Sequence, residues 1–281
     1  MKISPKSVSK ILTVSIVFGS LTFSPTFFDL QELKTVSSVA YAKLDASQVG
    51  KIMKGIFKFQ QEFQKFKSAR NKKKLSKEEQ YQEKLYEVIE KEGSEAIKLL
   101  TEAIKIDPTK VKAYQWRALR YRLMDNDNAA IEDYNKVLEI DPNYLDAYDG
   151  RADVYRSSKN YTKAIDDYTK IIDSNPQYPD AYNDRAYCYY ELKDYKNAIA
   201  DYTKLISLEP NVNYYLLNRA NCYFNSNDYE RAIVDYTKYL QAVNPNNINN
   251  PKLHGIYNCL GNCYMAIGDS AKAREAYMMG M

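Results

Sequence analysis

The chain has 281 residues, with 40 Lys and Arg against 36 Asp and Glu and a net charge of +4 when its single histidine is neutral. That length supports one sizeable domain plus appendages, and the positive balance is concentrated before residue 78, so the rest of the chain gives no reason to expect a nucleic-acid partner. With one histidine, no Gly-rich phosphate loop, no paired-histidine metal motif and no nucleophile elbow, neither an enzyme nor a metal or other cofactor is expected.

Residues 1–42 read as an export signal. Lys2, Lys6 and Lys10 precede an apolar run from Ile11 to Phe28, and Ala40-Tyr41-Ala42 supplies a small-residue cleavage motif, so a mature chain would begin at Lys43 in the periplasm, on the cell surface or secreted. Two other readings stay open: an uncleaved membrane anchor at 11–28, since roughly 18 apolar residues just span a bilayer, and a cytoplasmic protein with an apolar tail. Over 43–75, Val49, Ile52, Ile56, Phe59, Phe63 and Phe66 recur three and four apart while Lys51, Lys54, Lys58, Lys65 and Lys67 occupy other faces, and Arg70 with Lys72 to Lys74 adds a basic block. This is a basic amphipathic helix with a coiled-coil-like seam. It fits docking on the rest of its own chain, contact with a membrane surface, or pairing with a partner helix.

Ser76 and Glu79 form a capping box that starts a new helix. Ala96, Leu100, Ala103 and Pro108 suit the second half of a helix pair, whereas Gln80, Lys84 and Glu87 leave its first half without aromatic or small residues, so 77–110 reads as a degenerate opening unit. Then AYQWRALRY, AYDGRADVY and AYNDRAYCY open three copies of one pattern at a spacing of 34 residues, closed by Pro142, Pro176 and Pro210. Such a period marks a stacked repeat array. Within a copy Tyr148, Ala152 and Tyr155, then Ala164, Tyr168 and Ile171, fall three and four apart, which predicts two amphipathic helices. Asp127-Asn128, Lys159-Asn160 and Lys193-Asp194 are the expected turns between them. Neither helix buries its stripe alone, so neighbours must stack. The units run 111–144, 145–178, 179–212 and 213–247; a polar loop follows from Asn246 to Leu253, and a fifth unit spans 254–281.

These places resemble the tetratricopeptide repeat: an aromatic, a small residue four on, an aromatic three beyond, then alanine, aromatic and proline, here Tyr148, Ala152, Tyr155, Ala164, Tyr168 and Pro176. Gly261 takes the small place in the last copy, a change from alanine that the tight helix contact should tolerate. The resemblance implies an all-α fold, a right-handed superhelical array of helix-turn-helix repeats whose first helices line a concave groove. Of the 27 tyrosines, 17 fall at four repeat places, so most of that excess is packing.

Arg117, Arg151, Arg185 and Arg219 share one place in the first helices, and Asp133, Asp167, Asp201 and Asp235 share one in the second; in the fifth unit both change together, to Leu260 and Ala276. Switching as a set points to partly buried ion pairs formed across the stack; arginines reading an acidic ligand are the functional alternative. Cys188, Cys222 and Cys263 share a small-residue place and read as buried thiols. Trp116 reads as partial core. The candidate peptide-binding face comprises Asp149 and Asp153, then Asn183, Tyr187 and Tyr190, then Asn218, Asn221 and Phe224, then Asn258, Asn262 and Met265. Amides there can donate to and accept from a peptide backbone, and Asp146, Asp149, Asp153, Asp180 and Asp184 favour a basic ligand; a merely solvated face on an Asn-rich chain is the plainer reading. The Lys and Arg of the family's best-known carboxylate clamp are not found at these places. The chain thus reads as a non-enzymatic protein-interaction scaffold of the cell envelope with an unknown protein or peptide ligand. The alternative is a structural protein that self-associates through Val49 to Phe66 and its C-terminal end.

Overall fold

The computed structural model describes residues 75–89, 91–243 and 251–280. The expected export signal, and all but the last residue of the expected amphipathic segment with its seam and membrane-surface readings, lie outside them. Among the described residues the fold is all-α, with twelve helices and no strand. They follow one another in pairs: α1 Lys77–Ile89 with α2 Gly93–Ile106, α3 Val111–Leu123 with α4 Asp127–Ile140, and α5 Leu145–Ser157 with α6 Tyr161–Ser174. Then come α7 Pro179–Glu191 with α8 Tyr195–Leu208, α9 Tyr214–Asn225 with α10 Tyr229–Val243, and α11 Pro251–Ala266 with α12 Ser270–Met279. No helix among the described residues is long and apolar enough to cross a membrane.

One turn device is repeated inside the pairs. Asp125, Lys159, Lys193 and Asn227 adopt the left-handed conformation at φ of 57°, 61°, 62° and 62°, and Gly268 does so at 85° in the last pair. Such a residue stops the first helix at a cost of roughly 1–2 kcal/mol when it is not glycine. The residue after it then caps the second helix: Asn126, Asp194 and Asp269 each accept from a backbone N–H three residues on, and Asp228 accepts from Arg231. The first full turn is therefore Asp125-Asn126, two residues before the expected Asp127-Asn128, which instead opens α4; acid and amide there imitate turn residues while belonging to the helix. Between pairs, Asp107, Asp141 and Asn175 accept from the N–H two residues on, at 3.1, 3.0 and 3.2 Å, bending the chain around Pro108, Pro142 and Pro176.

The chain divides into two compact units, one ending at Ala147 and the other beginning at Tyr148. In the first, Ser76 and Glu79 exchange both bonds of a capping box, at 2.7 and 3.2 Å, and start α1. Its core gathers Tyr81, Leu85 and Val88 of α1 with Ala96, Leu100 and Ala103 of α2 and Ala113 and Trp116 of α3. The stripe of α1 thus keeps the repeat's four-and-three spacing one residue later than expected, at 81, 85 and 88 instead of 80, 84 and 87. The loop to α2 has three residues as in the other pairs, but Val88 stands eight positions before Ala96 where Tyr155 stands nine before Ala164, and this shifts the register. Tyr81 is fully buried and accepts from the Ala113 N–H at 3.1 Å; Trp116 is only 3% exposed, so it is core outright.

In the second unit Ala152, Ala186 and Ala220 have no exposed surface, which lets paired helices approach closely while Tyr168, Tyr202 and Tyr236 fill the space beside them. Burying one such ring contributes roughly 1.5–3 kcal/mol. The last pair is tighter: a Cβ on Gly261 would stand 2.6 Å from the Tyr277 ring, so alanine is not tolerated there unless that ring moves. The loop expected over Asn246 to Leu253 is shorter than anticipated, because α11 begins at Pro251 and Leu253 is buried core; residues 244–250 lie outside the described set.

Candidate functional site

The arginines and aspartates meet within each pair and not across the stack. Arg117 donates from Nε and Nη2 to Asp133 at 2.8 and 2.7 Å, Arg151 to Asp167 at 2.9 and 2.7 Å, Arg185 to Asp201 at 2.9 and 2.8 Å, and Arg219 to Asp235 at 2.7 and 2.9 Å. A residue of the first helix thereby grips one sixteen positions later in its own second helix. The link between neighbouring pairs runs through threonine: Nη1 of Arg117, Arg185 and Arg219 donates to Thr101, Thr169 and Thr203 at 2.9, 2.9 and 3.0 Å. Each guanidinium also lies over a tyrosine ring, as Arg151 does over Tyr148 at 5.6 Å and Arg185 over Tyr182 at 5.6 Å. Burial pushes the Asp133, Asp167 and Asp201 carboxyls up, and the guanidinium beside each pulls it back. The two-point geometry holds both partners charged at neutral pH. These threonines were missed from the sequence, although two of them carried a signal: Thr169 and Thr203 each stand two residues after a paired aspartate.

A second tie crosses three of the pairs on the face of the first helices. Hydroxyls of second-helix tyrosines donate to the residue fifteen positions earlier: Tyr168 to Asp153 at 3.1 Å, Tyr236 to Asn221 at 2.7 Å and Tyr277 to Asn262 at 2.7 Å. Three residues expected to meet a ligand therefore already serve the fold with their oxygens. For Asn221 and Asn262 the amide N–H groups make no hydrogen bond within the protein, so donors are spare at these two positions. Asp153 also accepts from Arg156 at 3.0 Å. Neighbouring first helices are joined on the same face by Tyr214 donating to Asn183 at 3.3 Å and Asn225 donating to the Tyr190 hydroxyl at 3.0 Å. Tyr187 stands 41% exposed and edge-on to Tyr161, and Phe224 edge-on to Tyr229. Asn218 is half-buried; Asn258 is exposed, with its oxygen against Gly280. Asp149, half-buried on α5, is partnered.

Asp184 behaves differently. It is half-buried and makes no hydrogen bond, and burial pushes its carboxyl up to about 6, with Arg156 opposing and Asp153 and Asp180 adding to the rise. Sequence reading counted it among five acids and did not separate it, because no spacing distinguishes a spent carboxylate from an unspent one. The cysteines are free; Cys188, Cys222 and Cys263 are buried, with thiols pushed up to about 12 by burial, hence protonated and unreactive. No group of acidic, cysteine or histidine side chains that would hold a metal exists among the described residues.

Comparison with known proteins agrees with this geometry. Tetratricopeptide-repeat profiles match residues 179–212 in one case and 111–144, 145–178 and 214–242 in another. None of the curated proteins matches the sequence. Among solved structures, the MamA protein is similar with a TM-score of 0.55 at 19% identity, over 60% of this chain and 89% of its own. YrrB, described as a TPR protein with an unusual peptide-binding site, is similar with a TM-score of 0.55 at 19% identity, over 64% of this chain and 90% of its own. A MamA from Desulfovibrio magneticus RS-1 reaches 0.53 at 15% identity, over 61% and 93%. The helix pairs between residues 111 and 242, with their 34-residue period and their helix-turn-helix build, thus match tetratricopeptide repeats in profile and in fold.

Proposed function

We propose that the array is a non-enzymatic scaffold that holds extended, polar-to-basic peptide segments against the first-helix face of α5, α7, α9 and α11, and that it works in the cell envelope. The observation that carries the reading is the division of polar groups on that face: the acceptors of Asp153, Asn183, Asn221 and Asn262 are occupied within the fold. The amide donors and the Asp184 carboxylate remain for a ligand. Donors spaced along successive first helices match the carbonyls of an extended backbone, and Tyr187, Tyr190 and Phe224 add contact area at low entropic cost. The peptide-binding site attributed to YrrB, a neighbour in fold, supports the same use of these repeats. The envelope location rests on the Lys2 to Ala42 pattern and is tested by following the processed chain in cell fractions.

Amide donors bind a backbone without reading it closely, so affinity is expected near 1 μM, about −8 kcal/mol. A peptide array probed with the chain tests this; preferential capture of acidic C-terminal peptides, or none at all, overturns it. One observation favours a second reading, self-association: the last pair leaves Met265, Ile267, Met278 and Met279 exposed, Met278 at 60%. A mass that rises with concentration and returns to monomer when Met278 and Met279 become serine supports that reading.

A further inference from the structure

The third full repeat breaks the tyrosine tie. Tyr202 occupies the place of Tyr168 and Tyr236, and its ring is only 4% exposed, yet the residue fifteen positions before it is Tyr187, which points outward against Tyr161. The Tyr202 hydroxyl consequently reaches the first-helix face without a hydrogen-bond partner in the protein. Its electrostatic neighbours there are Cys222, Tyr214, Tyr190 and Asp184. So the hydroxyl of a buried tyrosine, itself reached by solvent and making no hydrogen bond in the protein, and a half-buried carboxylate that makes none share one stretch of this face. The other charges facing Asp184 do not neutralise it. Arg156 of α5 is committed to Asp153 and to the Tyr168 hydroxyl, at 3.0 and 3.2 Å, while Asp153 and Asp180 add negative charge.

We propose that Asp184 and Tyr202 form a subsite for the ammonium or guanidinium of a lysine or arginine side chain on the bound peptide, walled by Tyr190 and Tyr214. The ammonium donates to the Asp184 carboxylate and to the Tyr202 oxygen, and its alkyl stem lies along the tyrosine rings. A carboxylate-bearing ligand is turned away by Asp153, Asp180 and Asp184 together, and a neutral one leaves Asp184 and Tyr202 as unsatisfied as before, so discrimination comes from both an attraction and a penalty. The inference rests on the peptide-scaffold reading above and assigns the residue class that this face selects.

The test uses the full chain and capped nonapeptides of Gly, Ser and Asn with one central residue, either lysine, arginine, norleucine or glutamate. The expected result is about tenfold tighter capture of the lysine and arginine peptides than of the norleucine peptide, the fold-change of one half-exposed charge pair. Asp184→Asn abolishes that preference while still capturing all four peptides, Tyr202→Phe weakens it, and the exposed control Asp173→Asn leaves it intact. The preference of the parent also fades as the pH falls from about 8 to about 5, since protons compete for a carboxylate that titrates in between, and stays flat in Asp184→Asn. Capture without a preference for cations in the parent, or a preference that survives Asp184→Asn, overturns the subsite and leaves the scaffold reading standing. Capture of no peptide by any variant overturns the scaffold reading and the subsite together.

Discussion

Removing Arg185 is the sharpest probe of what holds a pair together and ties it to its neighbour. Its guanidinium makes two parallel bonds to Asp201 and one to Thr169, lies over Tyr182 and Tyr189 at 5.6 and 5.9 Å, and is 15% exposed against 7% for its partner side chain. Arg185→Ala leaves Asp201 buried without a cation, and a broken buried pair costs about 3–5 kcal/mol. Two effects reduce that figure. Water reaches the partly open arginine side, and Asp201, already pushed up by burial, escapes part of the penalty by taking a proton. The expected loss at neutral pH is about 2–4 kcal/mol. Its pH dependence has a definite sign. An acid whose folded value lies above its unfolded one loses stability as the pH rises from the unfolded value to the folded one, so the variant approaches the parent as the solution is acidified through that window. The fifth repeat suggests the rescue, for it carries buried Leu260 and Ala276 at these places. Arg185→Leu combined with Asp201→Ala should recover all but about 1 kcal/mol, since apolar replacement of a buried pair is often neutral. Urea unfolding, with hydrogen exchange of α7 and α8 to localise the effect, measures both variants. A single-variant loss below about 0.5 kcal/mol, or a double variant no better than the single one, refutes the claim that the pair is a buried brace.

Other expected outcomes follow from single positions. Lys193→Gly should stabilise the second unit by up to about 1 kcal/mol in thermal unfolding, because it relieves a left-handed residue at the place where the last pair already has Gly268. Gly261→Ala should destabilise by about 1–3 kcal/mol, overpacking against Tyr277 outweighing the gain in helix propensity, and Tyr277→Phe should not rescue it because the ring itself is the obstacle. Asn262→Ala should cost about 1 kcal/mol by stranding the Tyr277 hydroxyl, with Tyr277→Phe largely neutral in that background; equal losses in both backgrounds count against the tie. Asp184→Asn should raise stability by about 1 kcal/mol above about pH 6 and have no effect below about pH 4, because a carboxyl whose folded value is raised withholds stability only once it is ionised.

Much of the fold is legible because its determinants recur. The spacing of Tyr148, Ala152 and Tyr155 survives translation by 34 residues, and packing enforces it in every copy, so the helix pairs can be placed from the pattern alone. What fails to read out is local and has local causes. The stripe of α1 slips by one because it is spaced one residue closer to the stripe of α2 than in the later pairs, and a fixed period carries no information about such a local change. The turn before α4 is displaced because Asp127-Asn128 is chemically indistinguishable from the Asp125-Asn126 that makes it. On the candidate face, residue types were visible but their commitments were not. Asn221 and Asn218 look alike in the sequence, yet only the first holds a tyrosine hydroxyl. The unspent Tyr202 becomes visible only by noticing that its partner place is filled by a tyrosine, which pairs with Tyr161 instead.

The two sets of ties divide the surface of the second unit between stability and recognition. The Arg185–Asp201–Thr169 bridge involves both second helices and is nearly closed to solvent, so any ligand that competed with it would have to replace a charge-assisted bidentate contact, a costly exchange. The tyrosine ties are different. Each uses one neutral or singly charged oxygen on a first helix and leaves the neighbouring positions of that helix free to vary without loosening the pair. Where the tie is present, as at Asn221 and Asn262, the side chain is fixed in place and its N–H groups point in a defined direction, which preorganises donors for a backbone. Where it is absent, as at Tyr187, the same geometry leaves the Tyr202 hydroxyl without a hydrogen bond, beside a carboxylate whose nearby cation, Arg156, is bonded to Asp153 and Tyr168. On the subsite proposed above, stability withheld by Asp184 in the empty protein is returned when a cation binds, so this repeat braces the fold through Arg185 and discriminates among ligands through Asp184.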